Sequence, residues 1–350
     1  MLTFLIMAGG SGERFWPLST KQKPKQLLKI FNDKSLIKLT YERILPLVDK
    51  DQIFIATNEL QLKAMKEELP QIEDSRIIIE PAFRDTAAAI AYGSMMISKY
   101  YQNPTICVLA SDHLIADEKE FRKIIQIAVL EAEQNKIVTL GIKPTYPETG
   151  YGYIQVKNDT LNQPTKSLGF KEKPELKLAL KYFKSKEYLW NSGMFIFKYD
   201  TIMFAFEKYS INHYETICQI SDIVTKNEGI KTAELVKDLF LKFEKKSIDY
   251  AVMEKASNIE VIPSSFGWND VGNFTAFEQL FSKDDNNNII RNINCISVDS
   301  SDNIIISDVP VQRVSLLGVH NMIVVVNQTE ILICSKEKNQ DIKKIIQKLA

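Results

Sequence analysis

From its first residue the chain alternates short apolar runs of strand character with segments whose apolar positions recur at helical spacing. LTFLIM, QIFIAT, RIIIE, TICVLAS and IVTLGI predict strands, and helices are predicted near Leu36 to Val48, near Glu59 to Leu69, after Asp85, and near Lys119 to Gln134. This alternation predicts an α/β fold with a mainly parallel sheet and helices on both faces. Chemistry on such a sheet belongs in the crevice beyond the carboxyl ends of the strands. From Tyr151 to about Asp270 the pattern is mixed, with strand-like GYIQV, SLGFKE, MFIFKY and IEVIP. Helical stretches lie between them around Leu176 to Lys184, Thr232 to Lys242 and Ile248 to Lys255, an elaboration of the same core. A polar stretch, SKDDNNN, follows Phe281, and then come the short runs NCISV, NIIIS, VSLLGV, MIVVV and EILIC. The expected organisation is a domain over 1–281 and a small all-β module over 286–350. The tail from Glu337 sets Ile342, Ile345, Ile346 and Leu349 on one predicted helix face, which must pack on the body or on a second subunit.

Composition narrows the functional classes. With 45% hydrophobic and 25% charged positions in 350 residues, the chain is globular and long enough for two domains. Lys+Arg and Asp+Glu are both 44, and no long basic run occurs, so a nucleic-acid partner is not expected. Cys107, Cys218, Cys295 and Cys334 form no CxxC pair, and the three histidines are dispersed. That reads as free thiols in a reducing compartment, without structural zinc. LTFLIM lacks a basic flank and is too short for a leader, and no apolar stretch approaches the roughly 20 residues of a spanning helix. A soluble, cytoplasmic protein with no membrane partner is expected.

Two segments fall at strand ends where chemistry is expected: AGGSGER after the first strand and SDH after TICVLA. Gly9, Gly10 and Gly12 would let backbone N–H groups approach a polyphosphate. Their spacing fits neither the dinucleotide fingerprint nor a P-loop, which weakens a dehydrogenase reading. Arg14 just beyond the loop suits a phosphate oxygen as a bidentate donor, and Lys25 after Pro24 offers a second cation.

AGGSGERFWPLS, PKQ, EPAFRDTAAAI, SDH, GYGYI, KEKP, NSGMF and WNDVG occur in this order. In that array the chain resembles the mannose-1-phosphate guanylyltransferases over about Met1 to Phe281, and the trailing module resembles that family's short C-terminal β-helical domain. The resemblance implies a Rossmann-like nucleotidyltransferase fold. It also implies transfer of GMP from GTP to mannose 1-phosphate, giving GDP-mannose and pyrophosphate. The isomerase domain of longer bifunctional members is not matched, so isomerase activity is not expected. Because an ionised sugar-phosphate oxygen attacks the α-phosphorus, no protein nucleophile is required, only alignment and charge neutralisation. By this resemblance Arg14 and Lys25 hold the triphosphate, and Asp112 and Asp270 converge on Mg²⁺, which favours carboxylate oxygens. Ala8, Gly9, Gly10, Gly12, Asp85 and Ser111 join Arg14 and Lys25 around the nucleotide. Gly152, Glu172, Lys173 and Asn191 take the sugar phosphate.

EPAFRDTAAAI departs from the family wording, with Asp85 for the usual Asn and Ala88 for the usual Pro. Asp85 can cap the following helix, and as a pure acceptor it can also meet the N–H face of guanine. Every candidate group lies before Phe281, so the module is expected to serve assembly or stability, and a homodimer is left open. Two alternatives remain: a related nucleotidyltransferase using another sugar or NTP, and a catalytically silent sugar-nucleotide-binding regulatory subunit.

Overall fold

The computed structural model describes residues 1–10, 12–31, 33–226, 230–309 and 313–349. Its first part runs β1 (Leu2–Met7), α1 (Leu36–Ile44), β2 (Ile53–Asn58), α2 (Glu59–Glu68), β3 (Ile77–Glu80), α3 (Asp85–Ser98), β4 (Thr105–Ala110), β5 (Leu114–Ile115), α4 (Glu118–Ala132) and β6 (Ile137–Ile142). Local chemistry starts several of these helices. The side chains of Ser35, Asn58 and Asp117 accept from the N–H groups of Lys38, Gln61 and Glu120, satisfying otherwise orphaned first-turn donors. There follow β7 (Tyr153–Val156), β8 (Thr165–Lys171), α5 (Leu176–Ser185), β9 (Tyr188–Lys198), α6 (Tyr199–Tyr209), α7 (Ile211–Lys226) and α8 (Ile230–Phe240). A π-helical turn (Asp249–Met253), β10 (Ile259–Ser264), β11 (Trp268–Asn269) and α9 (Phe277–Leu280) complete the larger part.

Nine strands form one sheet in the order β3-β2-β1-β4-β9-β6-β10-β8-β7. β3, β2, β1 and β4 pair in parallel, as do β6 and β10, whereas the long β9 enters antiparallel between β4 and β6. Alternate residues of β1 feed opposite layers. Leu5 packs with α3, α6 and α7, while Phe4 and Ile6 pack with α1 and α4. Phe4, Phe54 and Phe121 are fully enclosed, and truncating any of them to Ala costs about 3–5 kcal/mol. Two helices, α6 and α7, occupy a stretch that the sequence pattern left unassigned. They bury Ile202 and Phe206, and Ile217 and Ile220, at i, i+4 and i, i+3 spacing.

The C-terminal part contains β12 (Ile289–Arg291), β13 (Cys295–Val298), β14 (Ile304–Ser307), β15 (Val314–Leu317), β16 (Met322–Val326), β17 (Ile331–Ser335) and α10 (Lys343–Leu349). β12, β14 and β16 stack in parallel, β13 pairs in parallel with β15, and β17 closes the larger stack antiparallel. The polar stretch after Phe281 is part of this stack: Asn303 donates from Nδ2 to Asn288 Oδ1 (3.0 Å), and both are enclosed. The expected tail face is only partly realised. Residues 336–342 form 3₁₀ turns, which break the α-helical spacing, so Ile342 is buried while Ile345 and Leu349 stay exposed.

One core crosses the boundary between the two parts. Phe15, Leu18, Phe31, Val271, Phe274 and Phe277 pack with Ile289, Ile304, Ile323, Leu332 and Ile342 of the module. Among the described residues no cysteine pairs with another, and no helix is long and apolar enough to cross a membrane.

Candidate active site

The loop after β1 is shaped by what its carbonyls meet. Gln26 donates from Nε2 to Ala8 O (2.8 Å) and Gly10 O (3.2 Å), and Gln61 donates to Gly10 O (3.1 Å). Sequence reasoning did not single out either glutamine, although Gln26 stands in the PKQ motif. Gly12 has φ +60°, and a Cβ there would overlap the backbone of Lys25, so only glycine fits. A 3₁₀ turn over Glu13–Phe15 then exposes Arg14, anchored by Phe15 against Phe274 at 5.0 Å between ring centroids. Ala8 and Ser111 are buried. Their N–H groups bond to Ala56 O and Met7 O, so they tie the loop to the strand ends.

A short antiparallel pair, β5 with β11, brings Asp112 and Asp270 to the same place. The Lys25 ammonium lies between them, donating to Asp112 Oδ2 (2.9 Å) and to the Asp270 carbonyl. Tyr151 OH donates to Asp270 Oδ1 at 2.6 Å. Burial pushes the Asp112 carboxyl up, but the Lys25 ammonium, which also donates a hydrogen bond to it, outweighs burial and holds it below the usual range. Trp268 donates from Nε1 to His113 Nδ1 (3.1 Å). The imidazole proton therefore sits on Nε2, 4.0 Å from Asp112 Oδ1, and burial favours the neutral ring.

Lys25, Asp112, His113 and Asp270 line a cavity of about 410 Å³ together with Gly12, Arg14 and Lys343. A neighbouring cavity of about 640 Å³ shares Arg14, Asp270 and Gly272, and adds Tyr151, Lys173 and Gln340. Lys343 and Gln340 belong to the C-terminal module, which the sequence assigns to assembly or stability with no essential catalytic group. Their approach depends on packing between distant segments and has no local sequence signal.

The sugar candidates also meet. A Cβ on Gly152 would overlap Glu172 Oε2, an enclosed oxygen with no hydrogen-bond partner among the described residues. Glu172 Oε1 pairs with Lys173 Nζ at 3.0 Å. Asn191 is tightly committed: its Oδ1 accepts from Thr139 (3.2 Å) and Gly193 N–H (3.1 Å), and its Nδ2 donates to Asp249 (3.0 Å). One amide N–H of Asn191 remains for a ligand. Asp249, on the π-helical turn, was not anticipated. Burial, then repulsion from Glu172, pushes its carboxyl up to about 7.

Asp85 is not the N-cap of α3. Arg84 occupies that position, and Asp85 is the first helical residue at φ +66°, its Oδ1 accepting from Thr86 N–H at 2.8 Å. Glu80 at the end of β3 stands nearer the loop: a Cβ on Gly9 would lie 3.0 Å from Glu80 Oε1. Its carboxyl is raised to about 7 by burial. An acid at the carboxyl end of a strand was the signal that singled out Asp112, and it applied equally to RIIIE.

A nucleotidyl transferase family model matches residues 3–287, and a model described as a MannoseP isomerase/GMP-like beta-helix domain matches 293–349. The mannose-1-phosphate guanylyltransferase of Salmonella montevideo is 37% identical over all of this chain and 74% of its own length. That of Klebsiella pneumoniae is 34% identical over 99% and 74%. This chain belongs to the mannose-1-phosphate guanylyltransferase family. A crystal structure from Thermus thermophilus, described as a mannose-1-phosphate geranyltransferase, matches the fold with TM-score 0.88 at 31% identity, covering 99% of both chains. Within the guanylyltransferase family the chain is thus a nucleotidyltransferase-fold enzyme carrying a β-helix-like C-terminal part.

Proposed function

We propose that the chain transfers GMP from GTP to mannose 1-phosphate. A sugar-phosphate oxygen forms the new bond to the α-phosphorus as the bond to the bridging oxygen breaks, and the electron pair leaves on pyrophosphate. The observation that carries this reading is the convergence of Arg14, Lys25, Asp112 and Asp270 on one cavity from four separate segments. Lys25 and Arg14 neutralise phosphate charge, and Lys25 is already oriented by Asp112 and the Asp270 carbonyl.

Nucleotidyl transferases generally use a divalent metal ion. Asp112 and Asp270 supply two carboxylates to one cavity, and the described residues provide no cluster of three or more His, Cys, Asp or Glu ligands there. Such a sparse, hard-oxygen set suits Mg²⁺, which completes its shell with water and phosphate oxygens. When bound, the ion offsets phosphate charge and aligns the two phosphate-bearing substrates. Glu172 Oε2, enclosed and unpartnered, suits a sugar hydroxyl, with Lys173 at the sugar phosphate and Gly152 giving close backbone approach. For the base we assign Glu80 in place of Asp85 as the carboxylate facing the N1–H and 2-amino donors of guanine.

Pyrophosphate release from GTP or ATP, each with mannose 1-phosphate or glucose 1-phosphate and with or without Mg²⁺, tests the reading. GTP with mannose 1-phosphate should be fastest and Mg²⁺-dependent. Equal efficiency with ATP would overturn the guanylyl assignment, and no release from any pair would favour the regulatory alternative.

A further inference from the structure

We propose that Lys343, on the C-terminal module, holds the departing pyrophosphate, so that the module completes the nucleotide site. This rests on the reaction proposed above and adds the residue that receives its leaving group.

Three observations meet here. Lys343 lines the phosphate cavity with Arg14 and Lys25, while Lys25 is engaged by Asp112 and the Asp270 carbonyl. The lysines on either side behave differently: Lys338 and Lys344 pair with Asp341 at 3.8 and 2.8 Å, and among the described residues no carboxylate comes within 4.0 Å of Lys343. The segment is also anchored. Ile342 is buried in the core that holds Phe15, next to Arg14, and Lys336 pairs with Glu278 at 2.6 Å.

The direction of reaction follows from the two cavities. Arg14, Asp270 and Gly272 border both, and Lys173, the sugar-phosphate candidate, lies in the larger one. Attacking and leaving oxygens lie roughly in line in phosphoryl transfer. A sugar phosphate arriving from the Lys173 side therefore expels pyrophosphate toward the Lys343 side. An ammonium with no carboxylate partner is free to meet that anion with a charge-assisted hydrogen bond.

The test uses the full chain run in reverse, with GDP-mannose and pyrophosphate as substrates. Lys343→Ala should raise the KM for pyrophosphate about tenfold, leave the KM for GDP-mannose and the melting midpoint unchanged, and be partly rescued by Lys343→Arg. Lys344→Ala is the control and should match the parent. An unchanged KM for pyrophosphate, an equal rise in Lys344→Ala, or an equal rise in the KM for GDP-mannose would each overturn the proposal. If the parent does not convert GDP-mannose at all, the proposed reaction fails instead. Calorimetric binding of pyrophosphate to parent and Lys343→Ala then still decides the role of Lys343: equal affinities reject it.

Discussion

The cavity around Lys25 and the enclosed cluster around Glu172, proposed to take phosphate and sugar, handle charge differently. Around Lys25 unlike charges are interleaved, and Asp112 is kept ionised despite burial. Around Glu172, whose Oε1 pairs with Lys173, a second carboxylate is crowded in: burial and Glu172 drive Asp249 toward the protonated form. The difference matches what each place is proposed to bind. Phosphates arrive as anions, so that cavity needs cations whose carboxylate partners can exchange them for ligand at modest cost. Sugar hydroxyls are neutral, so their pocket needs acceptors and donors held close, at the expense of electrostatic repulsion.

The largest expected effect comes from breaking the interleaved side. Asp112→Asn or Asp270→Asn should lower kcat by roughly 10²–10³-fold while the circular dichroism spectrum stays native. A near-normal Mg²⁺-dependent rate in either variant would remove that residue from the proposed metal site. Lys25→Ala should lower kcat more than it raises the KM for GTP, because its charge is aimed at the transition state. A pure KM effect would make it a ground-state binder.

The next effect sharpens the sugar side. Glu172→Gln should narrow the ratio of mannose 1-phosphate to glucose 1-phosphate efficiencies about tenfold, since an acceptor matched to the axial hydroxyl is lost. Asn191→Ala should slow both sugars alike, because that amide is already committed to Thr139, Gly193 and Asp249. If Asn191→Ala shifts the ratio and Glu172→Gln does not, their roles are exchanged.

The smallest effect is a slope. Asp249 is raised to about 7 in the native state and titrates near 4 when unfolded, so the folded chain holds an extra proton between those values. Its contribution to stability is full below about pH 4 and is lost as pH rises through about 7. Glu80 has the same sign, whereas Asp112 has the opposite one and loses its contribution as pH falls. Melting midpoints followed from pH 5 to 8 should therefore decline less steeply in Asp249→Asn than in the parent; identical slopes would reject the assignment.

The parallel strands were readable because buried parallel strands are continuous apolar runs, and the loop after β1 because glycine chemistry is local. Asp112 and Asp270 were readable from strand ends and motif order. Asp249 was not, since IDYAVMEK carries an ordinary helical pattern and only contacts with Asn191 and Glu172 bring its carboxylate into the pocket. Lys343 was hidden for a related reason: its place depends on Ile342 packing beside Phe15, a partner from the opposite end of the chain. Asp85 illustrates the converse, a residue whose local preference for capping was outweighed by a left-handed backbone position at the helix start.

The core shared by Phe15, Phe274, Phe277 and the module has a consequence for how the molecule comes apart. A β-stack joined only by a tether would melt on its own, fraying coil by coil from its free end. Here the first coil's Ile289 is packed among aromatic rings that also hold the Arg14 turn, so losing the stack exposes apolar surface on the catalytic part as well. Loss of the module therefore uncovers Phe15, Phe274 and Phe277 and leaves the Arg14 turn without the packing that supports it.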